Sequence, residues 1–410
     1  PNVNPLIASN YWYQAPNNRM EWTMTTRVDH RLSERDQLFF RYTYGFRDAY
    51  TQDGANNSPT TLDMAANGRF RPIYDHTGVA SWTHTFSPTF FSETLFNVGV
   101  EDLNLVNIGD SEKWADKLGL PNPFDEYGFP SITSTGVGMV YVTAQNRRNS
   151  IIHIYNLDQN LTKVQGRHEL QFGGRFRYER MHVLPDQQRV QGAHSFNGHA
   201  TGLYDPASGS TYGAVPYTGH AAGDFFLGTI NSYSAWFVRK WYDLTAKEYA
   251  LYFQDNFKLN LRLTLNYGVR WEMYTPVRET NNFLTGFDPK TKSIVNGADW
   301  DTMYRIKATL PSIVKIFNEM GVKFITPQAA GLPKGLMYLN KWDFNPRAGF
   351  AYKLSGSNRP IVLRGGYSIF GYPMPLRAFN ARMRQNPPTT ATFTYQLSSS
   401  AQSPDRLPNY

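Results

Sequence analysis

His168-Glu169 opens like HExxH, the zinc-protease pattern in which two histidines one helical turn apart hold the metal and the glutamate acts as base. Here Phe172 takes the place of the second histidine, and the segment alternates like a strand, so that chemistry fails. Gly136-Val137-Gly138 begins a dinucleotide-type GxGxxG, but Tyr141 replaces the last glycine. Neither a Walker GxxxxGK[ST] nor a GxSxG elbow occurs. His182, His194, His199 and His220 share one long segment without the fixed spacing that metal ligation needs. Asp53-Gly54 and Asp205-Pro206-Ala207-Ser208-Gly209 read as turns, because the ligand ladder of a calcium loop and its closing glutamate are missing. The chain is therefore expected to be no enzyme and to hold neither cofactor nor metal.

The charged residues with a regular placement are arginines. Arg41, Arg175, Arg177, Arg270, Arg347 and Arg364 each fall on the polar side of an alternating segment. Around Arg41, the residues Leu38, Phe40, Tyr42, Tyr44 and Phe46 share the opposite side. Leu170 and Phe176 oppose Arg175 and Arg177 in the same way, and Leu263, Leu265 and Val269 oppose Arg270. Such period-two alternation is the mark of a β-strand. It recurs ten times, near 21–32, 37–47, 74–86, 90–100, 150–161, 169–178, 248–259, 261–271, 344–354 and 361–369. Most of these runs approach the roughly 9–11 residues with which a tilted strand crosses a membrane. Leu38, Phe40, Tyr42, Leu170, Phe176, Leu263, Leu265 and Val269 are then lipid-facing candidates, and the six arginines lumen-facing ones. An arginine on the lipid side at mid-membrane costs roughly 2–4 kcal/mol. Aromatics and arginines on opposite faces also argue against nucleic acid, since a single-strand platform needs both on one face.

The connections set the architecture. Ser33–Asp36, Ser87–Thr89, Lys163–His168, the Asn260 corner and Ser355–Pro360 are short; Asp48–Ile73, Glu101–Asn149, Arg180–Lys247 and Glu272–Asp343 are long. Short and long alternate along the chain, as in transmembrane barrels with tight periplasmic turns and long outer loops. Loops beyond about 12–15 residues are uncommon in ordinary compact domains. Composition agrees: 410 residues carry 27 Phe, 26 Tyr and 9 Trp, with no Cys and a net charge of +8. No apolar run reaches the ~18 residues of a membrane helix. Two helices are predicted inside the long connections, over Ser111–Leu118 and over Ser312–Met320, the second with Ile313, Ile316, Phe317 and Met320 on one face. The richness of these connections in Gly, Asn, Tyr and Pro suggests adaptable polar contact rather than a packed core.

Five stretches, in order, resemble the TonB-dependent receptors of the Oar-like group, whose N-terminal part carries a carboxypeptidase-regulatory-like domain. They are Arg27–His30 (RVDH) with Asp36–Tyr42 (DQLFFRY), Gly166–Gly174 (GRHELQFGG), Tyr252–Asn256 (YFQDN) leading into Leu263–Glu272 (LTLNYGVRWE), Asn345–Tyr352 (NPRAGFAY) and Leu363–Tyr367 (LRGGY). The resemblance implies a barrel of about 22 strands, plugged by an N-terminal domain. It further implies energising by the TonB–ExbB–ExbD complex and a place in the outer membrane of a Gram-negative bacterium. Residues 1–410 show no TonB box, plug or closing aromatic strand, so they are expected to form a partial barrel from its middle. The expected function is import of an iron chelate, oligosaccharide or peptide; the expected partners are outer-membrane lipid, the TonB system and that solute. A surface scaffold or adhesion receptor is the alternative, and a secreted glycan-binding β-sandwich a more distant one.

Overall fold

Alternating side chains favour extended chain because one face can be sealed by apolar groups while the other stays wet. In a computed structural model, which describes residues 17–52, 68–134, 147–187, 190–203, 218–238, 241–354, 361–373 and 386–396 with positions 215, 375, 376 and 378, this produces ten long strands. They are β1 (Asn17–Arg31), β2 (Asp36–Gln52), β3 (Ile73–Ser87), β4 (Phe90–Asn107), β5 (Arg147–Gln165), β6 (His168–Gln187), β7 (Tyr242–Lys258), β8 (Leu263–Tyr274), β9 (Asp343–Lys353) and β10 (Val362–Ser368). Each pairs antiparallel with its sequence neighbours, and short segments Gly68–Phe70 and Arg278–Glu279 extend the wall. Among the described residues the sheet is open, with β1 and β10 as its edges. None of the described helices is long and apolar enough to cross a membrane.

Several strands run further than the alternation alone predicts, mostly at the ends that lead into long connections, although β5 also runs on to Gln165 at a short turn. β6 continues to Gln187 and β7 starts at Tyr242. At ~3.3 Å per residue, the 20 residues of β6 span about 65 Å. That is far more than a tilted strand needs for a hydrocarbon core of about 30 Å. The alternation fades there because Met181-His182-Val183-Leu184 no longer separates two different media: Met181 and Val183 pack under protein.

What covers them corrects a second expectation. Instead of adaptable polar loops, the long connections build a packed cap. Val277, Phe283, Leu284, Val295, Met303 and Leu336 from the β8–β9 connection form one core with Met181 and Val183 of β6 and Tyr242 and Leu244 of β7. Phe283 and Met303 are fully buried, each such side chain contributing roughly 1.5–3 kcal/mol. Apolar residues scattered among the glycines and prolines of that segment supply the core. Two small sheets complete the cap: Thr285–Asp288, Ser293–Asn296 and Phe324–Ile325; and Ser131–Ser134, Ala193–Phe196, Ser232–Val238 and Thr390–Gln396.

The predicted helix over 312–320 is present as Pro311–Glu319, with Pro at its first turn and Gly321 at φ 84° ending it. Its buried residues are Ile313 and Val314, whereas Ile316 and Met320 stay exposed. The helix expected over 111–118 shrinks to Trp114–Lys117 behind a 3-10 turn, and Ala221–Leu227 and Trp300–Arg305 are further short helices. Asp299 caps the last of these, accepting from Thr302 N–H at 2.8 Å. The turns expected at Asp53-Gly54, Asp205–Gly209 and Ser355–Pro360, and the run Gly136–Gly138, lie outside the described residues.

Candidate functional site

Strand registers divide the wall into two faces. Successive pairing aligns Val28, Phe40, Ala80, Phe96, Leu157, Phe176, Tyr249 and Met273 across eight strands on one face. Leu38, Tyr42, Leu170, Leu263, Leu265 and Val269 belong to the same face. The six singled-out arginines belong to the other face, since each pairs at a register offset by one residue.

On the apolar face, aromatic rings with polar tips stand towards the strand ends. Near the short connections, Asp36 Oδ1 accepts from Trp82 Nε1 at 3.1 Å and lies 2.6 Å from His84 Nδ1. Asp255 Oδ2 similarly accepts from Tyr267 OH at 2.7 Å and lies 2.7 Å from His168 Nδ1. At the other end Trp271 Nε1 donates to the Lys341 carbonyl at 2.7 Å. Such rings combine an apolar body with a satisfied polar edge, which suits a mostly apolar face.

The polar face carries an ionic network built from five strands. Arg175 Nε meets Asp158 Oδ1 at 2.6 Å, and Arg177 Nη2 meets Glu179 Oε2 at 3.0 Å. Arg270 Nε donates to Glu272 Oε1 at 2.6 Å and lies 3.6 Å from Glu248 Oε1, while Asn345 Nδ2 donates to Glu272 Oε2 at 2.9 Å. Glu248 and Glu272 are buried, and these pairings offset part of the cost of burying them. Gly173 lets the neighbouring strands close up: a Cβ there would lie 2.0 Å from the Gln159 carbonyl oxygen and 3.0 Å from the Tyr252 ring. The Tyr252 hydroxyl reaches Asn160 Oδ1 at 2.8 Å. Arg347 donates to Gln254 Oε1 at 3.3 Å. Arg41 and Arg364 have no ion pair among the described residues. Sequence reasoning named the arginines and missed their carboxylates. The signal was available, because Glu272 and Glu248 share the parity of Arg270 and Gln254 on their own strands.

The cap sits at the long-connection end of this same face, since Met181 and Leu244 pair with each other on the side of Arg177 and Glu248. It holds the histidines of the long segment apart. His182 stacks on Trp241 at 4.5 Å, His194 packs against Tyr233 at 5.0 Å, and His220 Nδ1 caps Ala221–Leu227 by accepting from Ala222 N–H at 3.2 Å. No metal-like cluster of His, Asp or Glu forms among the described residues. Burial lowers the His194 imidazole to about 4 and pushes the Tyr233 phenol up to about 12. Burial also raises the Glu279 carboxyl, against three backbone N–H bonds that lower it.

A two-faced antiparallel wall, apolar with aromatic ends on one side and ionic on the other, with alternating short and long connections, defines a membrane-spanning β-structure. The chain belongs to the outer membrane beta barrel domain family, whose profile matches residues 1–409. Its place is the outer membrane of a Gram-negative bacterium. Among curated proteins none matches it. Solved structures similar to it include the alcaligin outer membrane receptor FauA of Bordetella pertussis, at TM-score 0.40 and 10% identity over 82% of this chain and 34% of that one. The ferripyoverdine receptor of Pseudomonas aeruginosa bound to ferripyoverdine matches at 0.42 and 12%, over 83% and 34%. The ferric-catecholate import receptor Fiu of E. coli K12 matches at 0.41 and 12%, over 87% and 47%. The chain thus spans about a third to a half of these structures.

Proposed function

We propose that the chain is part of the wall and outer mouth of a TonB-dependent outer-membrane transporter, importing a scarce or bulky solute such as an iron chelate, an oligosaccharide or a peptide. In this reading Leu38, Phe40, Tyr42, Leu170, Phe176, Leu263, Leu265 and Val269 face lipid, and Arg41, Arg175, Arg177, Arg270, Arg347 and Arg364 face a hydrated lumen. The short connections are periplasmic and the cap lies outside the cell. The carrying observation is the cap itself, folded over the outer end of the ionic face through Met181, Val183, Tyr242 and Leu244. A surface scaffold has no use for a lid on an ionic interior, whereas a transporter needs its first ligand contacts there. The five stretches that resemble TonB-dependent receptors imply the energy source, the TonB–ExbB–ExbD complex.

Solute depletion from spent medium tests the reading, followed by mass spectrometry in four strains: wild type, gene deletion, tonB deletion, and a variant lacking residues 276–340. One solute class should be depleted only when protein, TonB and cap are all present, while the cap-deleted barrel still assembles. Identical depletion in all four strains would remove the transport reading.

A further inference from the structure

The cap leaves one strand edge open. Thr390–Gln396 pairs with Ser232–Val238 on one side, and among the described residues no strand lies along the other. Sheet edges are normally blunted by charge, proline or a bulge, because an open row of N–H and C=O groups invites another chain. This strand reads TATFTYQ, with neither charge nor proline, and its register with Ser232–Val238 is unbroken. Beside it lies a groove of about 360 Å³ whose other wall comes from the helix Pro311–Glu319 and Met320. All five residues from Ala391 to Tyr395 line it. Successive side chains of a strand alternate between faces, so a run of five borders a single space only along the edge. The helix side contributes Ile313, Ile316, Phe317 and Met320, the one face that the sequence marks as apolar. None of the four belongs to the main core of the cap, and Ile316 and Met320 are 40% and 73% exposed.

We propose that this groove takes an extended peptide, its backbone pairing with the Ala391–Tyr395 edge and its alternate apolar side chains resting on Ile316, Phe317 and Met320. The proposal rests on the transport reading and narrows its solute to a peptide. Strand addition at an open edge draws affinity from main-chain hydrogen bonds and specificity from pockets for every second side chain. Here the edge supplies the first and the helix the second, since positions 313, 316, 317 and 320 form one continuous stripe along a helix. The Tyr233 hydroxyl donates to the Pro121 carbonyl at 3.4 Å, so its ring is what remains for the groove it lines. No charged side chain lines this space. An anionic chelate would meet no cation there, and an oligosaccharide would find no side-chain carboxylate, amide or guanidinium. A peptide backbone needs none of these, because the strand edge already offers it donors and acceptors.

The test uses the full-length protein in detergent micelles and a dye-labelled peptide that alternates leucine with threonine and matches the Ala391–Tyr395 edge in length. Fluorescence anisotropy should show saturable binding. Two further forms of the peptide are N-methylated at alternate residues, one in each phase, which keeps every side chain and removes half of the backbone donors. The form methylated along its paired side should bind about tenfold more weakly, and the other like the parent. Met320→Glu should weaken the parent peptide by a similar factor, and Ile316→Glu, also at an exposed position, serves where the first variant fails to assemble. Equal binding of all three peptides, affinity unchanged by both substitutions, or no saturable binding would overturn the strand-addition site. A linear glucan bound as tightly as the peptide, and lost in the Met320→Glu protein, would overturn the peptide class. TonB-dependent depletion is read separately: its absence while peptide binding persists would remove the transport reading and leave the groove a peptide site.

Discussion

β6 changes neighbours along its length. From Arg175 to Glu179 its odd-numbered residues meet Asp158 and each other across an ionic surface. From Met181 to Val183 the same face is sealed beneath Phe283 and Met303. Strand, parity and pairing partner stay the same, and the medium changes from polar to apolar. The wall is thus organised by what lies on each side of it, while the cap is organised like a soluble domain, around an interior. The two regions should fail independently and for different reasons.

The largest effect is expected in the cap. Phe283→Ala removes a fully buried ring and should cost about 3–5 kcal/mol. Hydrogen exchange in 276–342 should accelerate while β2 to β5 keep their protection. Equal loss of protection in cap and wall would break the distinction between them. In the wall, Leu265→Arg should cost roughly 2–4 kcal/mol or block insertion into vesicles if the site lies near mid-membrane, and Thr264→Arg, one residue away on the ionic face, should be far milder. Equal yields of assembled barrel for the two variants would contradict the assignment of faces.

Acid should loosen the cap before the wall. His194 titrates near 4 when folded and near 6.5 when unfolded. Between those values the unfolded chain binds more protons, so stability falls as pH drops. Glu279, raised by burial, opposes this: its contribution is present below its unfolded value and lost as pH rises through the raised one. At about 1.36 kcal/mol per unit, the His194 share of the cost at pH 4 relative to pH 7 is roughly 3 kcal/mol, and Glu279 reduces it. His194→Phe should flatten this pH dependence, read as cap exchange rates between pH 7 and 4; an unchanged slope would place the sensitivity elsewhere. The smallest effect belongs to the exposed Lys315–Glu319 pair on the cap helix, 3.8 Å apart. Lys315→Ala should shift cap stability by no more than about 0.5 kcal/mol.

The same contrast explains what could be read from sequence. Alternation around Arg41, Arg175 and Arg270 located the strands and their faces, because the signal needs only neighbouring residues. The connections were legible as long or short for the same reason. The cap was not, because its core joins Met181 to Phe283 and Leu376, separated by about a hundred residues each. No local pattern marks such a meeting. Composition misled as well: glycine and proline dominate the impression of the β8–β9 connection, while Val277, Leu284, Val295 and Met303 decide its fold. The ionic network lay between these cases. Its arginines stood out, and their partners needed the register that brings β5, β6, β7 and β8 together.

The absence of cysteine from the chain makes the central claim directly measurable. Single cysteines placed one at a time from Leu263 to Arg270 in the full-length protein, in outer membranes, can be labelled with a membrane-impermeant maleimide or with a lipid-soluble one. The account predicts a period of two. Positions 264, 266, 268 and 270 should react with the water-soluble reagent, and 263, 265, 267 and 269 only with the lipid-soluble one. Uniform labelling along the strand, or the same period with the two reagents exchanged, would contradict a wall with lipid on one face and water on the other.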